Sequence, residues 1–300
     1  MKKRRCDEKK GFVLILTLWI LAILSLWLWI ASSTTKVGLQ FASYFRKKVR
    51  AQYLARGAIR RLVAEIASLR GIDKEKNKKI ITGYYLGKWV VYPEKWKVKK
   101  LTKSFEKVRG NEFVICKIKA EDSKIPVNYI TDKMMRKMKF LDPVVIQRII
   151  TWRKTHKKQG GFRFTEEFLK IEGISPELYF GKKNFPGLKD IFTSYSKGKI
   201  YINGITKKEI LKIIPGVDRD LASEIEEILS SGKKFSKIED LKHVMGVTPV
   251  IYKSLTMWVK VFPAFYRIEA EAHVGGVVAN ASAVYFIRGR RIKLYYFSGG

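Results

Sequence analysis

The chain has 300 residues, of which 46% are apolar, so it is long enough to bury one or two modest hydrophobic cores. A formal net charge of +34 indicates either an anionic partner, such as nucleic acid or lipid headgroups, or a general preference for lysine in the source organism. The lysines are scattered along the whole length, which favours the second interpretation. Because only three histidines are present, we expect neither a histidine-rich metal site nor a histidine-based catalytic triad.

The N-terminal residues combine a basic leader with a long apolar stretch. Met1–Lys10 is basic and polar, Gly11 follows, and Phe12–Ala31 contains no charged residue. At 1.5 Å per residue, the apolar stretch makes a helix of roughly 30 Å, which is the thickness of a bilayer core. An ordinary secretory signal peptide has a shorter apolar region and small residues at its far end. The stretch therefore predicts a transmembrane helix.

The junction between the leader and the apolar stretch resembles a type IV prepilin cleavage site. Gly11 stands between a lysine pair, Lys9 and Lys10, and the first apolar residue, Phe12. The resemblance implies that prepilin peptidase cuts after Gly11, that Phe12 becomes the methylated N-terminus, and that Lys9 and Lys10 lie where the peptidase reads the leader. These residues are substrates of processing, and none has a catalytic role.

The two cysteines allow no intrachain disulfide once the leader is removed. Cys6 lies in the leader, so Cys116 is left alone. Cys116 falls in a strand-like apolar run, Phe113–Ile118, which predicts a buried structural thiol.

Apolar residues recur at helical spacing after Ala31 as far as Leu69, and basic residues fall largely between them. The pattern predicts one helix from Phe12 to Leu69, roughly 85 Å long. Residues 12–31 would cross the membrane, and residues 32–70 would continue as an amphipathic helix on a globular head. A plain signal anchor followed by an unrelated helix is the alternative, and the unbroken continuation favours the single helix.

Basic residues are distributed unequally around the apolar stretch. Six Lys/Arg precede it and only Lys36 follows it closely, although a basic cluster at Arg46–Arg50 lies further along. By the positive-inside rule, the leader is cytoplasmic and the bulk of the chain is periplasmic. We therefore predict a single-pass protein of the bacterial inner membrane.

The middle of the chain, residues 124–262, contains an internal repeat. Lys124–Thr131 and Lys199–Thr206 are identical at five of eight positions, at an offset of 75 residues. In each copy helical stretches follow, and then an aromatic residue opens a short helix, at Phe164 in the first copy and at Phe235 in the second. The repeat predicts a duplicated all-helical domain of the SAM or helix-hairpin-helix kind.

The second copy contains a hairpin that suggests an alternative function. Ile214–Val217 resembles the hairpin of a helix-hairpin-helix, which presents backbone N–H groups to a DNA phosphate. DNA-binding versions usually carry a second glycine where this chain has Asp218. A carboxylate there repels phosphate, and we predict that Asp218 is a helix N-cap. A membrane-anchored protein of DNA binding or DNA uptake is thus the alternative, and we do not expect nucleic acid among the partners.

Alternating strand-like segments lie on both sides of the repeat. The segments are Trp89–Tyr92, Trp96–Val98, Phe113–Cys116, Tyr266–Ala272, Val277–Arg288 and Ile292–Phe297. They predict an α+β fold in which the long N-terminal helix packs on one antiparallel, pilin-like sheet. Residues 71–123 and 263–300 would form the two parts of this sheet, and the helical domain would be inserted between them.

Several segments resemble the K pseudopilin family of type II secretion, known as general secretion pathway protein K. They are the linker Gly187–Lys199, the element Gly198–Asn203, the pair Trp152-Arg153 and the pair Gly161-Phe162. The resemblance covers nearly the full chain. Leu16 adds to it, because most pilin-like proteins carry Glu at this fifth mature position and the K pseudopilin resembles this chain in lacking it.

The resemblance implies a minor pseudopilin that joins the I and J pseudopilins in a tip complex, starts pseudopilus assembly and supports export across the outer membrane. Some family members bind calcium in the helical domain. We assign no calcium ligands here and expect no cofactor from the residues themselves. A membrane-anchored enzyme has the least support. Acidic residues cluster at Glu121-Asp122 and at Glu224–Glu227, and the second group is spread around a helix, which is typical of a solvated face.

Overall fold

The structure is a computed structural model, and it describes residues 4–68, 89–93, 100–102, 111–182, 185–205, 208–288 and 291–299. Three parts make up this portion of the chain. They are a long N-terminal helix, an antiparallel sheet that packs on it, and a mainly helical insertion between two strands of the sheet.

The helices in the described residues are α1 (Arg4–Ser68), α2 (Asp132–Arg136), α3 (Pro143–Thr155), α4 (Pro176–Phe180), α5 (Leu188–Ile191), α6 (Lys208–Lys212), α7 (Arg219–Ser230) and α8 (Pro249–Trp258). Short 3-10 helices cover Glu121–Ser123, Lys157–Gln159, Thr165–Lys170, Ile202–Gly204 and Ile238–His243. The sheet strands are β1 (Trp89–Pro93), β2 (Lys100–Thr102), β3 (Glu112–Ala120), β10 (Phe265–Val274), β11 (Val277–Arg288) and β12 (Arg291–Gly299). Two-residue strands inside the insertion are β4 (Ile125–Pro126), β5 (Gly181–Lys182), β6 (Phe185–Pro186), β7 (Phe192–Thr193), β8 (Ile200–Tyr201) and β9 (Val259–Lys260).

The N-terminal helix α1 is continuous, which confirms the prediction of a single helix. It covers 65 residues and begins inside the leader, earlier than Phe12. No proline interrupts this sequence, and Gly38 and Gly57 remain helical in open surroundings. The predicted end at Leu69 lies outside the described residues.

The second half of α1 forms the core of the head together with the sheet. Ala51, Ala55 and Ala58 are fully buried, and their small side chains let the helix approach the sheet closely. Larger residues of the same stripe fill the space on either side; they are Ile59, Leu62 and Ile66. Cys116 of β3 is fully buried in this core, so the prediction of a buried thiol is confirmed, and burial raises the pKa of the thiol.

The strand order of the sheet is β12-β11-β10-β3-β1-β2, and neighbouring strands are antiparallel. One sheet is therefore built from segments on both sides of the insertion, as the sequence predicts. The predicted strand Trp96–Val98 lies outside the described residues. β3 and β10 are direct neighbours, and Ala120 pairs with Tyr266. The whole insertion thus occupies the place of a hairpin turn between two adjacent strands.

The insertion consists of two similar copies around one continuous hydrophobic core. A parallel pair of two-residue strands closes each copy: β4 pairs with β7 in the first, and β8 pairs with β9 in the second. Apolar residues that recur at helical spacing in both copies form this core, and Ile228 at its edge is partly exposed. The buried ones are Met134, Met135, Met138, Ile146, Ile149, Ile150, Ile210, Leu211, Ile214, Leu221 and Ile225.

An asparagine fixes the same turn in both copies. In the first, the Asn128 amide donates to the Phe162 carbonyl (2.8 Å) and accepts from the Phe162 N–H (2.9 Å). In the second, Asn203 makes the same two bonds, 2.8 and 2.9 Å long, with Phe235. The counterpart of Phe235 is therefore Phe162, and the predicted pairing of Phe235 with Phe164 is wrong. The two phenylalanines of the first copy stand two residues apart, and only the asparagine contact distinguishes them.

These paired asparagines give a test of the repeat. Replacing Asn128 or Asn203 by Ala leaves a buried backbone N–H and carbonyl without partners, so each change should lower the free energy of unfolding by about 2–3 kcal/mol. Urea denaturation of a fragment starting at Ser43 measures this loss. The exposed Asn280, changed to Ala, is the control and should cost less than about 0.5 kcal/mol. A loss at either repeat asparagine no larger than that of the control would contradict the shared role.

Candidate functional site

The predicted processing residues lie on α1 next to its exposed apolar part. Gly11 and Phe12 follow one another inside the helix, and Lys9 and Lys10 precede them on the same helix. Phe12 is 68% exposed, and none of the apolar window that is long enough to cross a membrane is buried. Leu16 is also exposed, at 48%. Within the described residues, no other part of the chain covers this apolar surface. Cleavage between Gly11 and Phe12 stays a prediction.

One end of the head lies nearest to the exposed apolar part of α1. Arg50 of α1 contacts Glu112 at the start of β3, with 2.8 Å between Nη2 and Oε2. The turn between β10 and β11 lies beside Lys47, three residues before Arg50 on α1. A β-carbon placed on Gly275 of this turn would be 3.1 Å from Lys47 Cε. Gly275 also donates its N–H to the Asn111 carbonyl (2.9 Å). We call this end, formed by Lys47, Arg50, Glu112 and Gly275, the base of the head.

The insertion leaves the sheet at the opposite end. Because β3 begins at the base, its last residue, Ala120, lies far from the exposed apolar part of α1. Two acidic residues, Glu121 and Asp122, follow immediately, and neither is exposed to solvent. Buried carboxylates are costly unless charged partners and hydrogen bonds compensate them, so their surroundings determine how firmly the insertion is held.

Glu121 joins the start of the insertion to β10. Arg267 donates from Nε to Oε2 (2.8 Å) and from Nη2 to Oε1 (3.1 Å), which is a bidentate ion pair. Lys124 Nζ lies 3.0 Å from Oε2 and also donates to the Lys189 carbonyl (2.9 Å). Burial alone would raise the pKa of Glu121, but the charges and hydrogen bonds of Lys124 and Arg267 outweigh burial and hold that pKa below its ordinary value.

Asp122 joins the start of the insertion to its end. Its Oδ2 accepts hydrogen bonds from the backbone N–H groups of Ala264 (2.7 Å) and Phe265 (3.2 Å), and it contacts Lys260 Nζ at 2.5 Å. Burial raises the pKa of Asp122, and the positive charge of Lys260 and the backbone donors act in the opposite direction. We call the four residues Glu121, Asp122, Lys260 and Arg267 the junction cluster.

The junction cluster gives a structural role to Glu121-Asp122, an acidic pair whose role the sequence alone does not indicate. The carboxylates of Glu121 and Asp122 are fixed by cations and backbone donors, which is an arrangement that connects chain segments. A signal was present in the sequence, since the pair directly follows one strand and Arg267 lies at the start of another. In the portion of the chain that the structure describes, no group of three or more His, Cys, Asp or Glu side chains could hold a metal ion.

The insertion also packs on the face of the sheet opposite α1. Tyr195 of the insertion forms a small apolar core with Phe265 and Val284 of the sheet. A hydrogen bond of 3.1 Å from the Tyr296 hydroxyl to Glu166 Oε1 ties β12 to the first copy. The insertion is therefore attached to the head by side chains of several elements in addition to its two connections.

The hairpin of the second copy has a carboxylate at its helix N-terminus. Gly216 adopts a φ of +86°, which forms the tight turn between α6 and α7. Asp218 Oδ1 accepts the Leu221 N–H at 2.9 Å, which confirms the predicted N-cap. This carboxylate occupies a donor that a phosphate would otherwise use.

These features define a pilin-like fold, with a long apolar helix on an antiparallel sheet and a helical domain inserted at the far end. The crystal structure of the GspK-GspI-GspJ complex from the type II secretion system of enterotoxigenic Escherichia coli contains a chain with this fold. The TM-score is 0.54 at 11% sequence identity, and the match covers 89% of this chain and 99% of that chain. No protein-family model and no curated protein matches the chain. The likeness establishes the fold, including the insertion.

The junction cluster gives a second test. Glu121→Gln leaves Arg267 and Lys124 without their buried counter-charge and should destabilise a fragment starting at Ser43 by about 3–5 kcal/mol. The control is Glu269→Gln on β10, which removes an exposed ion pair with Lys119 (2.7 Å) and should cost less than about 1 kcal/mol. Urea denaturation at neutral pH measures both. Equal losses for the two variants would show that the cluster does not hold the insertion.

Acidification should narrow the difference in unfolding free energy between the wild type and Glu121→Gln. The pKa of Glu121 is lowered in the folded state, so its stabilising contribution is present above the ordinary glutamate pKa and is lost as pH falls through the lowered value. The Gln variant has no such carboxylate to protonate. A gap in unfolding free energy that stays constant down to strongly acidic pH would contradict the ion pair.

Proposed function

We propose that the chain is a minor pseudopilin of a type II secretion system, located at the tip of the pseudopilus, where it starts assembly and supports protein export. The likeness in fold to a chain of the GspK-GspI-GspJ complex carries this proposal, because it extends over nearly the whole length of both chains and includes the inserted domain. By analogy with that complex, the partners are pseudopilins of the I and J type.

The N-terminal segment supports membrane anchorage and processing. Cleavage between Gly11 and Phe12 would remove the basic leader and leave the whole apolar helix on the mature chain, with Phe12 as a methylated N-terminus. Lys9 and Lys10 serve as the part of the leader that prepilin peptidase recognises. The basic leader stays in the cytoplasm, and the head lies in the periplasm.

The position of the insertion supports a place at the tip. The insertion leaves the sheet after Ala120 and returns at Phe265, at the end of the head that is far from the apolar helix. Subunits that join a pseudopilus from the membrane lie below those already present. A large domain on the far end obstructs a subunit above and leaves the space below free.

Leu16 supports the same position. A glutamate at this place in other pilin-like subunits is thought to meet the N-terminal amine of a neighbouring subunit. A carboxylate inside an apolar bundle is costly unless it is paired. A subunit that has no neighbour above it gains nothing from such a carboxylate, and leucine fits the apolar surroundings.

Co-expression of the chain with the I-type and J-type pseudopilins of the same organism tests the proposal. We expect a stable complex in detergent, detected by co-purification and size-exclusion chromatography. Leu16→Glu should leave the complex intact, because the tip subunit needs no partner for this position. Leu21→Glu is the control, since a carboxylate near the centre of the bilayer should reduce membrane insertion. Failure of the wild-type chain to associate, or complete loss of the complex in Leu16→Glu, would contradict the tip role.

A further inference from the structure

The part of α1 between the transmembrane segment and the head carries two different faces. One face continues the stripe that packs the head on the sheet, and below the head it consists of Val37, Phe41 and Tyr44. These side chains are 59%, 62% and 50% exposed, and the neighbouring Phe45 is 51% exposed. We call Val37, Phe41, Tyr44 and Phe45 the aromatic face. Such a surface is unfavourable in water, and the described residues leave it uncovered.

The other face is polar and basic. Lys36, Gln40, Ser43, Lys47 and Arg50 recur at intervals of three and four residues, so they line one side of the helix. Two further cations lie at the level of Lys47. Arg46 is on another side of the helix, whereas the half-buried Lys48 follows Tyr44 by four residues and so lies where the aromatic face meets the head. The sequence has no acidic residue between Phe12 and Ala64. Of the positive charges near the base, Arg50 is paired with Glu112. The base of the head is therefore strongly positive.

A helix with an aromatic face, a basic face and a direct connection to a membrane span has the properties of an interfacial amphipathic helix. Aromatic side chains favour the headgroup level of a bilayer, and Lys and Arg are attracted by anionic lipids. A partner protein would have to be both apolar and acidic to match these faces, whereas an anionic bilayer offers both properties at the place where α1 emerges.

The length of α1 agrees with this arrangement. From Phe12 to Phe45 the helix extends about 50 Å, whereas a bilayer with its headgroup regions is about 40–45 Å thick. A tilt of about 35° places both ends at the interfaces, within the range that membrane helices adopt. Because the aromatic face is in line with the head-packing residues Ala51 and Ala55, tilting toward the head turns that face onto the lipid.

We propose that, in the unassembled subunit, the aromatic face lies in an anionic bilayer surface and that Arg46, Lys47 and Lys48 hold the base of the head against the lipid headgroups. This inference rests on the membrane anchorage of the proposed function. It adds a docking surface for the head, which keeps α1 tilted until other subunits replace the lipid.

Fluorescence quenching of the full chain in nanodiscs tests the proposal. With Cys6 changed to Ser and Cys116 buried, a polarity-sensitive probe is attached to Tyr44→Cys on the aromatic face or to Ser43→Cys on the basic face. A third variant, Leu21→Cys, reports on the centre of the bilayer. The discs hold one chain each and contain phosphatidylcholine alone or with about one third phosphatidylglycerol. Nitroxides attached to the lipid at headgroup depth or at the acyl centre are the quenchers.

In anionic discs, the headgroup-depth nitroxide should quench the probe at position 44 about threefold more than the probe at position 43. The ratio should fall toward one in neutral discs and at about 0.5 M salt, where screening shortens the reach of the charges. The triple variant Arg46→Gln/Lys47→Gln/Lys48→Gln should lower the ratio in the same way. Lys233→Gln/Lys234→Gln/Lys253→Gln removes the same charge from exposed positions of the insertion and should leave the ratio unchanged.

Equal quenching at positions 43 and 44 in anionic discs would overturn the proposal. So would a ratio of quenching at position 44 to quenching at position 43 that does not depend on lipid charge. Protection of position 44 from lipid and from aqueous iodide only in discs that hold several chains would show that a second copy covers the aromatic face, which also overturns it. The probe at position 21 distinguishes failure of the docking surface from failure of the proposed membrane anchorage. If the deep nitroxide quenches position 21 while position 44 fails, only the docking surface is refuted; if position 21 fails, the membrane span itself is refuted.

Discussion

The packing of one continuous helix against one sheet is the constraint on which the whole structure depends. The stripe of Ala51, Ala55 and Ala58 brings α1 close to the sheet, and Ile59, Leu62 and Ile66 complete the core. Burial of each large side chain contributes about 1.5–3 kcal/mol. The same helix carries the exposed apolar stretch, so the direction of that stretch is fixed relative to the head. Every other feature, including the base and the far end of the head, is located with respect to this axis.

The insertion is tolerated because it begins and ends at neighbouring residues of the sheet. Ala120 and Tyr266 pair directly, and a long connection between two such points costs little more loop entropy than a short one when the inserted residues fold by themselves. The junction cluster then restricts how the insertion stands on the sheet. Glu121 binds Arg267 of β10, and Asp122 binds the returning chain at Ala264 and Lys260. A bulky domain is in this way held firmly at the end of the head that faces away from the exposed apolar part of α1.

Much of this fold is readable from the sequence, because its strongest signals are periodic. The helical stripe of α1, the alternating strands β10 and β11, and the repeat at an offset of 75 residues each follow from patterns that hold over many positions. The N-cap at Asp218 is also predictable, since it depends on local chemistry. What the sequence could not supply are pairings between distant residues. The partners of Glu121, and the choice between Phe162 and Phe164 as the counterpart of Phe235, depend on which segments the folded chain brings together.

In the proposed function, the apolar helix remains joined to the exported head after prepilin peptidase cuts on its cytoplasmic side. Intact-mass measurement and N-terminal sequencing of the protein, purified from membranes of a bacterium that has prepilin peptidase, show where the mature chain begins. We predict a mature chain that begins at Phe12 with a methylated amine and contains everything that follows. A chain that retains Met1, or one cut beyond Ala31, would contradict the proposed processing and anchorage.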